Sequence, residues 1–370
     1  MPRSFYSAVI VSFWVKAMLS NVQSLRGFAA LMVVYYHAHG LLIKRHTELG
    51  LTNEFWAREH GLTKFGALGV DIFFIISGFI IFHSAWDKKI TARSFLFLRV
   101  RRIYPLYWVA SILFIAITFL PGTSYSLSGL DIFASLLLIP KYFNGDVKPV
   151  LEVGWSLYYE MFFYLLFSAL IWQARERILV QMTGLFSLLI IAGNFVSIDF
   201  GIWKVITNER LLEFIAGGWA AYFYRNGSIR WNGYLRWCAI IVAVSGTIAF
   251  VLFDEWREDY SALITRAPIA IAVFSCFLFD EKLKNYVGGR VTSFLGDASY
   301  SIYLFHMFPF IILSGMWKRG LGVPPFDGIA TWAVLICVGA AAGIGAHLLI
   351  ERPMMSLLRG KQFYRTVPAG

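Results

Sequence analysis

Ten apolar runs recur along this chain, beginning near residues 24, 66, 103, 153, 177, 211, 234, 262, 299 and 329. Each is long enough to cross about 30 Å of hydrocarbon. A spanning segment in lipid must satisfy its own backbone, so the pattern predicts an all-α fold: a polytopic membrane helix bundle of about ten transmembrane helices with no separate soluble domain. The run over 211–226 is the shortest, and the one beginning near 262 carries Arg266. The longest stretch between runs, about residues 121–152, is too short and irregular for a domain, and no repeat or linker divides the chain.

Composition agrees with this pattern. With 58% hydrophobic residues, 15% charged residues, 34 Phe and 13 Trp in 370 positions, the chain has too much apolar surface for an aqueous core. Its net charge of +11 is therefore read loop by loop rather than as a nucleic-acid signal. Lys88, Lys89, Arg93, Arg99, Arg101 and Arg102 follow the second run, and Arg175, Arg177, Arg225, Arg230, Arg236, Lys282, Lys284 and Arg290 fall in later loops of the same parity. These loops are expected in the cytosol, with both termini, where they touch anionic lipid head groups. The acidic loop Asp254–Asp259 is expected outside. Cys238, Cys276 and Cys337 lie within apolar runs at no metal-binding or disulfide spacing, so no metal site is expected. Residues 1–20 read as an extension or interfacial segment, with Met18 as an alternative start, residues 21–355 as the membrane domain and 356–370 as a cytoplasmic tail.

Candidate chemistry sits inside the apolar runs. Arg26 and His37 are 11 positions apart, close to three helical turns, so they share a face about 16 Å apart. Polar groups held within a bundle are functional candidates, and an imidazole can take a hydroxyl proton or accept an acyl group. The plain alternative is a snorkelling Arg26 and an interhelical hydrogen bond from His37. Asp71, in an apolar run, needs a partner or a proton. It serves either as an ion-pair member or as the orienter of a base. Ser77-Gly78 reads as a close helix contact.

Arg99 and Arg102 share a helix face, and guanidinium forks suit phosphate oxygens, although topology alone would also place cations there. Pro105 is expected in the first turn of the next helix. Ser156 and Glu160, at i and i+4, stack on one face just below the outer surface, with Trp155, Tyr158 and Tyr159 as an interfacial belt. Tyr303 and His306 share a face, and His306 is a candidate to line the cavity of His37 or to be a structural hydrogen bonder. His347 and Glu351 also share a face, and Glu351-Arg352-Pro353 reads as a helix end with a cap or surface ion pair.

Taken together, the Arg26–His37 spacing, the Arg99/Arg102 pair, the Gly69-Val70-Asp71 to Ser77-Gly78-Phe79 segment, the Trp155-Ser156-Leu157 segment with Glu160, the Ser299–His306 segment and Glu351-Arg352-Pro353 resemble acyltransferase family 3. These are bacterial integral-membrane acyltransferases, some of which acetylate exopolysaccharide. The resemblance runs from about Val22 to Pro353. It implies transfer of an acetyl group from acetyl-CoA, a substrate rather than a bound cofactor, to a sugar hydroxyl of a lipid-linked or polymeric saccharide. It also implies His37 as the catalytic residue, Glu160 as an active-site acid, and Arg26, Arg99 and Arg102 as donor-binding or structural partners. Polysaccharide-assembly proteins are possible partners. A fused extracytoplasmic hydrolase-like domain, found in some members, is not expected within these 370 residues. Intramembrane His, Asp and Glu would also suit a proton-coupled transporter or glycan exporter, or a structural subunit of an export complex.

Overall fold

The computed structural model describes residues 3–51, 54–56, 58–86, 90–119, 127–253, 261–280, 289–319 and 328–358, with side chains described from residue 20 onward. The acidic loop Asp254–Asp259, the basic residues Lys88, Lys89, Lys282 and Lys284, and the tail beyond residue 358 lie outside the described residues.

Among the described residues, the helices of seven residues or more are α1 (Arg3–Arg45), α2 (Leu68–Ala85), α3 (Ala92–Thr118), α4 (Gly129–Leu136), α5 (Trp155–Leu170), α6 (Arg175–Phe195) and α7 (Leu211–Asn226). They continue as α8 (Gly233–Leu252), α9 (Ala267–Phe279), α10 (Arg290–Phe305), α11 (Met307–Lys318), α12 (Gly328–Ala346) and α13 (Arg352–Leu358), the last two joined by a π-helical turn at His347–Glu351. The described residues contain one small antiparallel pair, β1 (Tyr142–Phe143) with β2 (Asp146–Val147). All ten apolar runs therefore lie on helices. The helix α1 is continuous through residue 20, where the sequence suggested a boundary.

Among the described residues, five helical stretches can cross a membrane by length and composition: 61–85, 92–118, 175–195, 233–252 and 328–358. The bent pair α10–α11 makes up to six. The remaining runs fall short for local reasons. The 16-residue α5 and α7 are about 24 Å long, and α1 carries Arg26, His37 and His39. In α8, only 6% of the apolar window is buried, and Trp172, Leu188 and Phe195 around α6 are exposed. Apolar surface of that extent needs lipid around it, so the chain is a multi-pass membrane protein.

At the centre, α1 packs against α2, α10 and α12, and α2 against α7. The α2–α7 contact depends on glycine. A Cβ on Gly78 would lie 1.9 Å from the Phe214 carbonyl oxygen, and one on Gly217 would lie 2.0 Å from that of Ile75. The expected close contact at Gly78 is thus present, while Ser77 turns to the functional site. Gly296 does the same for α1 and α10, its hypothetical Cβ lying 1.9 Å from the Gln23 carbonyl oxygen. Small residues at these crossings let backbones approach where lipid supplies little drive for association.

Two prolines shape the site. Thr91 caps α3 by accepting the Ser94 N–H at 3.2 Å, so the helix starts well before the apolar run, and Pro105 lies in its interior rather than in its first turn. The arginine segment is therefore helical. Pro309 cannot donate to the carbonyl of Phe305, and the chain bends by 41° between α10 and α11. His306 occupies the corner.

Candidate active site

A cavity of about 900 Å³ opens among α1, α2, α3, α5, α10 and the π-turn leading into α13. Five arginines line it, Arg26, Arg99, Arg101, Arg102 and Arg352, together with the acids Glu160, Asp297 and Glu351. Of the residues singled out in the sequence, the fold brings Arg26, Ser77, Arg99, Arg102, Ser156, Glu160, Tyr303, His347, Glu351 and Arg352 to this one lining, while His37, Asp71 and His306 lie outside it.

The face of α5 explains part of this convergence. Ser156, Glu160 and Tyr164 recur every fourth residue, so they stack on one side of the helix. Glu160 accepts hydrogen bonds from Ser77 at 3.3 Å and from the Tyr164 hydroxyl. Its charged neighbours include Arg26, so it sits among the arginines that line the cavity. The reason is local. Val150, Leu151 and Val153 are 1–2% exposed, so the segment before α5 dips into the bundle and the helix begins below the surface. The expected aromatic belt is accordingly buried, with Tyr158 3% and Tyr159 8% exposed.

Each arginine is held differently. Arg26 donates to Gln23 Oε1 at 3.3 Å, and Gln23 donates to Asp297 Oδ1 at 2.6 Å, a relay from α1 to α10. Arg99 lies over the rings of Phe95 and Tyr164, 5.4 and 5.9 Å from their centroids, with its buried Nε–H lacking an acceptor among the described residues. Arg101 donates to the Leu358 carbonyl at 3.4 Å, which ties α3 to α13. Arg102 lies 3.8 Å from Glu351 Oε1.

Glu351 is not a surface cap. It is 4% exposed and accepts from Ser301 Oγ and His347 Nδ1, both at 2.7 Å. Arg352 Nε donates to His347 Nε2 at 3.1 Å. An arginine can only donate, so His347 Nε2 carries a lone pair, its proton lies on Nδ1, and the ring is neutral. The π-turn, a feature common at functional sites, presents Glu351 and Arg352 to the cavity together. The i, i+4 pairing of His347 and Glu351 was visible in the sequence; their burial was not.

His37 lies outside the cavity lining, along α1 from Arg26. Its Nδ1 is 3.0 Å from the Val33 carbonyl oxygen and 3.1 Å from Nε2 of His306, and the two rings sit 5.0 Å apart. Tyr303, three residues before His306, connects the pair with the cavity. Its hydroxyl donates to the Val153 carbonyl at 2.6 Å and so accepts from Ser156 Oγ at 2.8 Å. Lining residues that sequence reasoning passed over include Gln23, Arg101, Tyr164, Asp297 and Tyr300, the last donating to the Ile103 carbonyl at 2.9 Å.

Asp71 belongs elsewhere. Six residues from Ser77 on the same helix, it points roughly 120° away from the cavity. It is 0% exposed and lies 3.1 Å from Arg266 Nε, with Glu213 buried among the same charges and Arg210 stacked over Trp155 at 5.1 Å. Of the two roles open to Asp71, this is the geometry of the ion pair.

The sequence comparisons agree with the geometry. A family profile described as an acyltransferase domain matches residues 19–350. The exopolysaccharide production protein ExoZ of Rhizobium meliloti (strain 1021) is 33% identical over 318 residues, 82% of this chain and 93% of that protein. The acyltransferase MdmB of Streptomyces mycarofaciens is 26% identical over 95% of each chain. The peptidoglycan O-acetyltransferase OatA of Listeria monocytogenes is 25% identical over 80% of this chain, which spans 49% of that longer protein. No solved structure matches the chain. With the profile spanning most of its length, the chain belongs to acyltransferase family 3.

Proposed function

We propose that the protein transfers an acetyl group from acetyl-CoA to a sugar hydroxyl of an exopolysaccharide or related cell-surface glycan in the bacterial inner membrane. The observation that carries this reading is the cavity of about 900 Å³ lined by five arginines. Guanidinium forks match phosphate oxygens, which suits the phosphates of CoA, and Arg99 keeps a buried donor without an acceptor among the described residues. The long pantetheine arm is the part of the donor suited to run past Tyr303 toward His37. The names of the Rhizobium and Listeria relatives support a glycan acceptor and O-acetyl transfer.

In this reading His37 Nε2 takes the proton of the acceptor hydroxyl as its oxygen attacks the thioester carbonyl. The carbon–oxygen bond forms, the carbon–sulfur bond breaks, and the departing thiolate recovers the proton from His37. Acyl transfer through His37 itself would use the same nitrogen. The acceptor is a lipid-linked or polymeric saccharide, with polysaccharide-assembly proteins as candidate partners. Purified protein is expected to transfer label from acetyl-CoA to saccharide, and deletion of the gene to remove acetyl groups from the surface polysaccharide. Unchanged acetylation with no turnover of acetyl-CoA would favour a transporter or export subunit instead.

The same reading places ten spans in the membrane with both termini and the arginine end of the cavity in the cytosol, where CoA is found. Single cysteines at positions 93 and 255, in a background lacking Cys238, Cys276 and Cys337, test the orientation. A membrane-impermeant maleimide applied to intact cells is expected to label position 255 and spare position 93. The reverse pattern would turn the arginines away from the donor and sink the mechanism with the topology.

A further inference from the structure

We propose that His306 is a positioning residue that fixes the tautomer of His37 and leaves His37 Nε2 as its free basic nitrogen; this rests on the general-base reading above. Two backbone carbonyls locate the protons. His306 Nδ1 lies 3.0 Å from the Ile302 carbonyl oxygen, which can only accept, so the proton of neutral His306 is on Nδ1 and its Nε2 bears a lone pair. That lone pair is 3.1 Å from His37 Nδ1, which is also 3.0 Å from the Val33 carbonyl oxygen. A proton on His37 Nδ1 is shared between these two acceptors. The opposite tautomer would aim the Nδ1 lone pair at a carbonyl oxygen and a second ring lone pair with no hydrogen between them.

The arrangement has the logic of a histidine oriented by a hydrogen-bond acceptor behind it. Here the acceptor is neutral. A carboxylate at this depth would have to be desolvated, whereas a neutral imidazole accepts the Nδ1–H without burying a permanent charge. When His37 becomes an imidazolium, its Nδ1–H gains in strength as a donor, and His306 Nε2 is in place to accept it. Charged groups acting on His37 through space are Glu152 and Lys44. His306 itself is 0% exposed, with Phe310 against its ring at 5.9 Å, so it acts through His37 rather than on substrate. The α10–α11 bend at Pro309 sets its position.

The test compares variants of the full-length protein in native membranes, with acetyl transfer and thermal unfolding measured on each. His306→Leu, which removes the acceptor, is expected to lower kcat about 10–100-fold with KM for acetyl-CoA nearly unchanged. His306→Gln, whose side-chain oxygen falls near the position of Nε2, is expected to recover most of that loss. Adding His306→Leu to His37→Ala is expected to leave the residual rate where His37→Ala alone puts it. If His306→Leu does not accumulate, His306→Asn, whose amide is too short to reach His37, takes its place in the comparison. The proposal is overturned if the acceptor-lacking variant keeps the native kcat, if His306→Gln is as slow as that variant, or if the double variant loses further activity. Full activity in His37→Ala would instead remove the general-base reading on which the proposal rests.

Discussion

Acyl transfer by His37→Ala is expected to fall by about 10²–10⁴-fold, the range attributed to a positioned acid–base group, with expression and membrane insertion near native. The imidazole makes little of the apolar contact that holds the bundle together. It is half-buried on α1, and its recorded hydrogen bonds are those of Nδ1 to the Val33 carbonyl and to His306. The Val33 carbonyl keeps its place in the α1 backbone ladder when the ring is removed, so the main structural loss is the contact with His306, about 1 kcal/mol. The crossings at Gly78, Gly217 and Gly296 are untouched. Rates measured at matched expression, with donor affinity measured separately, distinguish a lost base from a lost fold. A variant with the native rate would remove His37 from the chemistry.

What could be read before folding was local. Apolar runs marked the helices, the 11-residue spacing put Arg26 and His37 on one face, and the i, i+4 relation stacked Ser156 on Glu160. These statements need only helix geometry. What could not be read was which faces meet. His37 and His306 are 269 residues apart and touch because of a bend caused by a missing N–H at Pro309. Asp71 was recognisable as an acid in need of a partner, but only packing selects Arg266, at the turn just before α9. Pro105 falls mid-helix because the Thr91 cap, not the onset of the apolar run, starts its helix. Glu351 looked like a helix end because Pro353 follows two residues later. Its burial depends on Ser301, His347 and Arg102 converging from two other helices and the π-turn.

That convergence makes Glu351 the position where stability and donor binding are expected to separate most clearly. Glu351→Ala removes the acceptor of the Ser301 hydroxyl and of His347 Nδ1–H, two buried donors at 2.7 Å. Leaving such donors unsatisfied costs about 1–3 kcal/mol each, so a loss of about 2–6 kcal/mol is expected, seen as a lower unfolding temperature in detergent. The Arg102 contact adds little to that loss, because at 3.8 Å and with 39% of the Arg102 side chain exposed it is screened. Glu351→Gln keeps the size and one acceptor oxygen for Ser301 and His347, so most of the stability is expected to return. Its second atom is then an amide nitrogen facing Arg102, donor against donor, and the guanidinium loses the group that aims it into the cavity. KM for acetyl-CoA is expected to rise about 10-fold in this variant, with unfolding near native and the chemical step little changed. A native KM in Glu351→Gln would show that Arg102 is aimed by other means, and Glu351 would then be a structural tie between α10 and the π-turn.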